Sequence, residues 1–382
     1  MNKLLFLDQL KKLVSIPSTA DNPRERKRII DYIETILPHG CKRIRIQNKG
    51  IEILIAGNND LKKPDIAYVV HADVVPGNTK MFTLKVVEDK LTGRGVSDMK
   101  FAIPIGIALL KKVIEEKLKL NFTLVITTDE EVGGINGVGY LASQNKIKPK
   151  ILIVPDWGDN FVFINKSKGV IMIQVESNGK KAHASEIWEG INANDSLCKL
   201  ATILLEKYGN NNKQKTWKTT MNIGVIQGGT ASNQVCDTAL MKLDFRFPET
   251  RTDVEILSEV KTIAKKINPK LKVSLMVTGL PTKTDIKNPL VKMFIREFEN
   301  VLGRKIKSDG GVGATDARHF AKSNIPLLVI KPKGGNVHSS NEWISLSSCL
   351  KYSEALDKFI YAYENKMYPN QMVSVTRKLL IK

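Results

Sequence analysis

Three consecutive acidic side chains follow an apolar run in the stretch TLVITTDEEVGG. They are Asp129, Glu130 and Glu131, and residues 123–128 before them have the composition of a strand buried on both faces. Parallel α/β sheets carry their chemistry just beyond the carboxyl ends of such strands. Carboxylates this close repel one another unless one is protonated, solvated or neutralised by a cation. Taken alone the stretch favours a solvated acidic turn, so a metal site requires ligands elsewhere in the chain.

Further groups of the kind that bind metals follow other predicted strands and turns. They are His71 in HADVVPG, Asp98 in GRGVSDMK, Asp156 after the strand at 151–154, and His338 in GGNVHSSNE. Nitrogen and oxygen ligands without cysteine suit zinc, with cobalt or manganese as alternatives. Together with one acid of the opening run, these groups exceed what one catalytic zinc needs, so a two-metal site sharing one carboxylate is the economical arrangement. Asp159 is a rival to Asp156, which we prefer because it follows the strand directly.

The elements that must position these residues change in character along the chain. Residues 1–165 begin with predicted helices and continue with strands, a helix at 101–113 and further strands. From about Lys166 the predicted order is β-α-β-β-α-β, which is typical of a compact four-stranded sheet with two helices. Beyond residue 279 the first pattern returns. The sequence therefore predicts an α/β catalytic domain with a mainly parallel sheet, formed by residues 1–165 and 279–382, and an inserted α+β domain at 166–278.

Composition limits the classes of protein that the chain could represent. The 382 residues carry a net charge of +20, and 42% of them are hydrophobic, as expected of a soluble globular protein. No apolar run approaches the roughly 20 residues of a membrane span, and the four dispersed cysteines predict neither a zinc knuckle nor a disulfide framework. The lysines form no long basic tail. We therefore expect a cytoplasmic protein that binds neither nucleic acid nor membrane, with a Lys-rich surface that attracts anionic substrates.

Seven stretches, in chain order, together resemble one known family. They are HADVVPG, GRGVSDMK, TTDEEVGG, an acid after the next strand, KKAHASEIWEGINA, DFRFPET and GGNVHSSNE. This set is similar to the co-catalytic zinc family that contains succinyl-diaminopimelate desuccinylase, acetylornithine deacetylase, aminoacylase and glutamate carboxypeptidase. The resemblance implies a zinc-exopeptidase-like catalytic domain and an inserted lid domain that usually also forms a dimer interface. It extends over nearly the whole chain, although each stretch alone is a weak to moderate signal.

The resemblance also implies how two metal ions are shared among the candidate ligands. Asp98 would bridge the two ions, His71 and Asp156 would complete one site, and Glu131 and His338 would complete the other. Deacetylase branches generally have Glu at the position of Asp156, so the branch to which this chain belongs stays open.

Three further residues receive catalytic roles from the resemblance. Glu130 would be the general base beside a water activated by the metals, and Asp73 would orient His71. His183 would stabilise the substrate oxyanion, often from the partner subunit, which implies a homodimer.

Substrate contacts follow from the same resemblance. Asn233 and Arg246 match positions that grip a substrate carboxylate, and the planar guanidinium of arginine suits that role. A structural ion pair of Arg246 with Asp244 or Glu249 is the alternative. Gly311, Thr315 and Asp316 match a glycine-rich loop that faces the substrate, and the resemblance implies that Gly311 and Thr315 contact the substrate, with Asp316 in contact with it or just behind it.

We therefore expect a di-zinc hydrolase that cleaves an amide bond next to a free carboxylate. Its substrate would be a small anionic N-acyl amino acid or a short peptide, processed by deacylation or by release of a C-terminal residue. An aminopeptidase or dipeptidase with the same chemistry is the main alternative. A catalytically inactive binding relative is less favoured, because such relatives usually lose ligands or the base and here all of them are present.

Overall fold

The structure is a computed structural model that describes residues 1–369. The α-helices of this part of the chain are α1 (Lys3–Val14), α2 (Pro23–Thr35), α3 (Ala102–Glu115), α4 (Val138–Ser143), α5 (Ala193–Tyr208), α6 (Asp253–Ile267), α7 (Pro289–Leu302) and α8 (Leu346–Met367). The first strands are β1 (Lys42–Asn48), β2 (Ile51–Gly57), β3 (Ile66–His71), β4 (Lys85–Val87), β5 (Lys90–Thr92), β6 (Phe122–Thr127), β7 (Ile151–Val154) and β8 (Phe163–Ser167). The remaining strands are β9 (Gly169–Asn178), β10 (Thr220–Gly228), β11 (Thr238–Phe247), β12 (Lys272–Gly279), β13 (Thr282–Lys283), β14 (Ser308–Gly311), β15 (Leu327–Val329), β16 (Gly334–Gly335) and β17 (Trp343–Ser345). Helices and strands thus alternate over most of the chain, as the sequence predicted.

Two compact units make up the chain. Among the described residues, the first contains Met1–Asn165, Thr284–Asp309 and residues 315–369, and the second contains Lys166–Lys283 and Gly310–Ala314. The second unit extends beyond the predicted 166–278 because β13 pairs with residues 166 and 167 of β8. It also takes in the loop at 310–314, where the backbone N–H of Lys168 donates to the carbonyl of Gly311 at 3.0 Å.

A mixed sheet forms the centre of the first unit. Its strands lie in the order β1-β2-β6-β3-β7-β15-β8. The four central strands β6, β3, β7 and β15 are parallel, and strands at either side are antiparallel. This confirms the predicted α/β class with a mainly parallel sheet. Because parallel strands end at the same edge, the residues that follow β3, β6 and β7 meet there.

Apolar side chains cover both faces of this sheet. Along β2, Leu54 and Ala56 belong to the core under α1, α2, α3, α7 and α8, whereas Ile53 and Ile55 belong to the core on the α4 side. This alternation is the period of two expected of a strand, and burial on both faces explains the nearly continuous apolar runs in the sequence. The sheet edge that bears the acids is thereby held between two packed layers.

A small antiparallel sheet in the first unit was not predicted. Its order is β16-β17-β5-β4, and β17 pairs with β5 so that Trp343 lies opposite Thr92. The pairing brings together the turn at 93–98 and the loop at 336–342, which are far apart in sequence. It is therefore the element that places His338 near Asp98.

The second unit is an antiparallel four-stranded sheet with two helices. Its strand order is β10-β11-β9-β12, and α5 and α6 pack on one face through residues such as Leu200 and Ile256. A capping box fixes the start of α6: the Thr252 side chain accepts from the Glu255 N–H, and the Glu255 side chain accepts from the Thr252 N–H. The observed element order, β9-α5-β10-β11-α6-β12, is the split pattern read from the sequence.

Candidate metal centre

Six of the residues singled out in the sequence come together in the first unit as two groups. Within each group the potential ligand atoms lie within 4.8 Å of one another. One group is His71, Glu130 and Asp156, and the other is Asp98, Glu131 and His338. His71 ends β3, Glu130 and Glu131 follow β6, and Asp156 follows β7. The carboxyl ends of three adjacent parallel strands thus supply four of the six side chains.

Asp98 connects the two groups. Its Oδ1 lies 3.1 Å from His71 Nε2, and its Oδ2 lies 3.1 Å from His338 Nε2. Nε2 of His338 is also 3.0 Å from Glu131 Oε2, while Nε2 of His71 is 3.9 Å from Asp156 Oδ1. One carboxylate therefore faces an imidazole on each side, as a group shared by two cations would.

Asp73 contacts one residue of each group, His71 in the first and Glu131 in the second. The Nδ1 atom of His71 lies 3.1 Å from the Asp73 carbonyl oxygen and 3.5 Å from Asp73 Oδ1. Asp73 Oδ2 accepts a hydrogen bond of 3.0 Å from the backbone N–H of Glu131. A partner at the second ring nitrogen fixes the orientation of a metal-binding imidazole. Asp73 is thus placed to hold His71 and the Glu131 backbone at the same time.

Asp159, the rival to Asp156, lies in neither group. Its carboxylate is half exposed and its Oδ1 lies 3.3 Å from Lys331 Nζ. The Asp156 side chain is buried beside His71. The geometry thus favours Asp156 over Asp159 as the candidate ligand.

Burial and the close approach of these ionisable side chains shift their pKa values. Burial and the Asp98 charge raise the pKa of Asp156 to about 6. Burial and the Asp156 charge raise the pKa of Glu130 well above its usual range. Hydrogen bonds to Asp98 and Glu131 raise the pKa of His338 to about 10. A cation bound beside these carboxylates would favour their ionised forms.

Glu342 and Arg94 hold the turn that carries Asp98, and sequence reasoning missed both. The Glu342 carboxylate accepts from the backbone N–H groups of Gly95, Ser97 and Asp98 at 2.9–3.1 Å. Arg94 Nη1 donates to Glu342 Oε2 at 2.9 Å. Both side chains are nearly fully buried, so this pair replaces water around three backbone donors. The acidic residue in HSSNE, four positions after His338, was the available signal.

Arg318 was also missed, and it contacts the proposed base. Its Nη1 lies 3.4 Å from Glu130 Oε1, and its Nη2 donates to the Gly133 carbonyl at 2.6 Å. The side chain is buried, and it comes from the turn Asp316–Phe320 that Thr315 caps by accepting from the Ala317 N–H. Arg318 therefore holds both the Glu130 carboxylate and the backbone that follows it.

Substitution of Arg318 by Met should lower kcat by up to about 100-fold, because displacement of a catalytic group by about 1 Å can have that effect. Metal content should be unchanged, since Arg318 is in neither ligand group. Arg318→Lys keeps the charge and should recover part of the lost rate. Equal kcat values for Arg318→Met and wild type would contradict the positioning role of Arg318.

Two of the predicted catalytic and substrate residues lie side by side in the second unit. The backbone of His183 bridges to Gln234, and the Ala184 N–H donates to the Asn233 carbonyl at 3.0 Å. The His183 side chain is exposed, with Nδ1 2.7 Å from Ser185 Oγ. His183 and Asn233 thus lie on two neighbouring backbone segments, with His183 directly before the turn Ala184–Glu189.

Arg246 makes the ion pair that was its alternative interpretation. Its Nε and Nη2 donate to the two carboxylate oxygens of Asp244 at 2.7 and 2.9 Å. The side chain remains about one third exposed, and it lines a pocket beside β10 and β11 with Asn212 and Asn222. A substrate carboxylate at Arg246 would have to share the guanidinium with Asp244 or displace it.

The donor set itself fits divalent metal ions of the zinc type. The two groups together offer two imidazoles and four carboxylates, with no cysteine. Oδ1 of buried Asp73 has no hydrogen-bond donor among the described residues, and Nδ1 of His71 lies 3.5 Å from it. The residues that would hold such ions therefore lie within these two groups, His71, Glu130 and Asp156 in one and Asp98, Glu131 and His338 in the other.

No helix in residues 1–369 has the length and apolar composition needed to cross a membrane.

Comparison with known proteins gives a consistent result. The family model of peptidase family M20/M25/M40 matches residues 67–362. A probable carboxypeptidase of Aspergillus clavatus is 28% identical over 305 residues, which cover 72% of this chain and 70% of that protein. A succinyl-diaminopimelate desuccinylase of Pelagibacter ubique is 26% identical over 91% of this chain and 97% of its own length.

A solved structure of an M20 family metallo-carboxypeptidase from Sulfolobus solfataricus has the same fold. It superimposes with a TM-score of 0.81 at 18% identity, covering 94% of this chain and 99% of that one. The family match includes every residue of the two ligand groups. The chain therefore belongs to peptidase family M20/M25/M40, whose members are metal-dependent hydrolases.

Proposed function

We propose that this protein is a di-zinc hydrolase that cleaves an amide bond next to a free carboxylate. The observation that carries the proposal is the placement of Asp98 between His71 and His338, with one carboxylate oxygen 3.1 Å from each imidazole. A shared carboxylate flanked by two ligand groups is what a two-metal site requires. Cobalt or manganese would fit the same donors.

Glu130 would act as the proton carrier of the reaction. Of the two carboxylates in the group with His71, Glu130 is the one that Arg318 contacts. Burial raises the pKa of Glu130, which favours its uptake of a proton. Bound zinc ions would supply a water of lowered pKa, toward about 7, and polarise the substrate carbonyl. Glu130 Oε would take a proton from the attacking water and return it to the leaving amine.

Five further residues would recognise the rest of the substrate. His183 would donate to the oxyanion, and Asn233 and Arg246 would bind the substrate carboxylate. Gly311 and Thr315, which flank the turn before Asp316, would contact the substrate backbone or acyl group. The net charge of +20 favours anionic substrates, and the proposal includes a homodimer in which His183 serves the neighbouring subunit.

The substrate class is supported by the names of two relatives. One is called a probable carboxypeptidase and the other a succinyl-diaminopimelate desuccinylase, and both names describe hydrolysis of an amide beside a carboxylate. Either reaction uses the same water, base and metal ligands.

A substrate panel with blocked ends tests the proposal. The zinc-loaded protein is given N-acetyl and N-succinyl amino acids and dipeptides, each with a free or an amidated carboxyl end. We expect turnover that is lost when the carboxyl end is amidated and kept when the amino end is acylated. The opposite pattern would identify an aminopeptidase or dipeptidase, and no turnover on any member with zinc bound would indicate a binding relative.

A further inference from the structure

Gly310 packs so closely against the ring of Trp217 in the second unit that a larger residue would not fit. A Cβ atom added at Gly310 would lie less than 3.0 Å from three atoms of the six-membered ring of Trp217, Cζ3, Cη2 and Cε3. Non-bonded carbon atoms are in favourable contact at about 3.5–4.0 Å. Gly310 does not have a positive φ. Close approach to the indole ring, rather than backbone conformation, is therefore the reason for glycine at this position.

Contacts on several sides hold the Trp217 ring in place. Its indole N–H donates to Glu249 Oε2 at 2.7 Å, and Lys166 Nζ lies over the ring, 4.0 Å from its centre. A cation over the face of an indole is attracted by the ring. The carbonyl of the next residue, Lys218, accepts from Nζ of buried Lys168 at 2.6 Å. The ring that faces Gly310 is therefore not free to swing aside.

Lys168 connects the loop at 310–314 to the segment that carries Trp217. Its backbone N–H donates to the Gly311 carbonyl at 3.0 Å, while its side chain binds the Lys218 carbonyl. Gly310 and Gly311 are thus held by two neighbouring contacts, one with the indole ring and one with the Lys168 backbone. A change in the size of the ring at 217 would therefore alter the position of this loop.

From this packing we infer that Trp217 is a positioning residue that holds the loop at 310–314 in place for substrate binding. The inference rests on the proposed function, in which Gly311 and Thr315 contact the substrate. Trp217 touches no substrate in that scheme and acts only through Gly310. Contacts of this kind bind substrate and transition state alike, so their loss raises KM and leaves kcat largely unchanged.

Gly310→Ala tests this role by forcing the loop and the ring apart. In full-length, zinc-loaded protein the added methyl group should raise KM for the best substrate of the blocked-end panel on the order of tenfold, with kcat near the wild-type value. Gly209→Ala is the matched control, because Gly209 belongs to the same unit, its backbone is helical and no atom lies within 4 Å of an added Cβ. Its KM should equal that of wild type. A contact that only stabilises the fold would lower the melting temperature of Gly310→Ala without changing KM.

A double-mutant cycle shows whether the effect passes through the ring. Trp217→Phe removes the outer ring atoms that Gly310 contacts and should itself raise KM several-fold, a readout that remains if Gly310→Ala does not fold. In the double variant the methyl group of Ala occupies the space left by the smaller ring, so KM should be lower than in Gly310→Ala.

The outcomes separate this inference from the proposed function. Wild-type KM in Gly310→Ala or in Trp217→Phe, or additive effects in the double variant, would overturn the positioning role of Trp217 and leave the proposed function intact. Absence of turnover by the zinc-loaded wild-type protein on every member of the panel would overturn both.

Discussion

Replacement of Glu130 by Gln is expected to reduce kcat by about 10²- to 10⁴-fold, the usual contribution of a positioned acid–base group, while Zn²⁺ content stays at the wild-type value. The amide keeps the shape of the side chain and its contact with Arg318, but it cannot accept the proton of the attacking water. Steady-state kinetics on the best substrate of the blocked-end panel and metal analysis of the same preparation give the two readouts.

The metal readout matters because Glu130 lies in one of the ligand groups. Its carboxylate is within 4.8 Å of potential ligand atoms of His71 and Asp156, so geometry alone allows it to bind a cation. Glu131→Gln is the matched control, since Glu131 Oε2 lies 3.0 Å from His338 Nε2 and its loss should reduce metal content. Loss of one Zn²⁺ from Glu130→Gln as well would make Glu130 a ligand and refute its assignment as the base.

The sequence predicted the parts of this site that depend on local pattern. A buried parallel strand is an apolar run, and a polar residue at its end or within three residues after it stands out, as His71, Glu130 and Asp156 do. Since parallel strands of one sheet end at the same edge, these residues could be grouped without knowledge of the strand order. The fold class and the β-α-β-β-α-β insert were predictable for the same reason.

The parts that were missed depend on contacts between distant segments. The small sheet pairs Trp343 with Thr92, and strands of two or three residues carry too little periodicity to be recognised. Glu342 looks like an ordinary exposed acid in the sequence, yet it is buried because three backbone N–H groups point at it. The acid itself was visible in HSSNE, but its contacts with the turn at 93–98 could be seen only after the pairing of β5 and β17 was known.

Arg318 and Lys331 could not be singled out from the sequence either. In a chain with 59 basic residues, neither one differs by composition from the many surface lysines and arginines. Both are less than 10% exposed in the structure, Arg318 beside Glu130 and Lys331 beside Asp159. Burial of a charge is the informative observation, and it requires the tertiary structure.

Replacement of Asp98 by Asn is expected to weaken Zn²⁺ binding at both positions of the centre. Each carboxylate oxygen of Asp98 lies 3.1 Å from a different imidazole, so one substitution removes a ligand charge from both groups. Since loss of even an outer partner of a ligand costs about 10- to 100-fold in metal affinity, loss of a shared ligand should cost at least about 100-fold. Competition titration with a chelator measures this change, and kcat should fall with the Zn²⁺ content.

Two comparison variants show whether Asp98 binds both ions or only one of them. Asp159→Asn is the control, because Asp159 is a neighbouring carboxylate that belongs to neither group. If Asp98 serves both ions, Asp98→Asn should lose both binding events in the titration, whereas Glu131→Gln should lose one. Retention of one Zn²⁺ with wild-type affinity in Asp98→Asn would assign Asp98 to a single ion, and the two groups would then have to bind their cations independently.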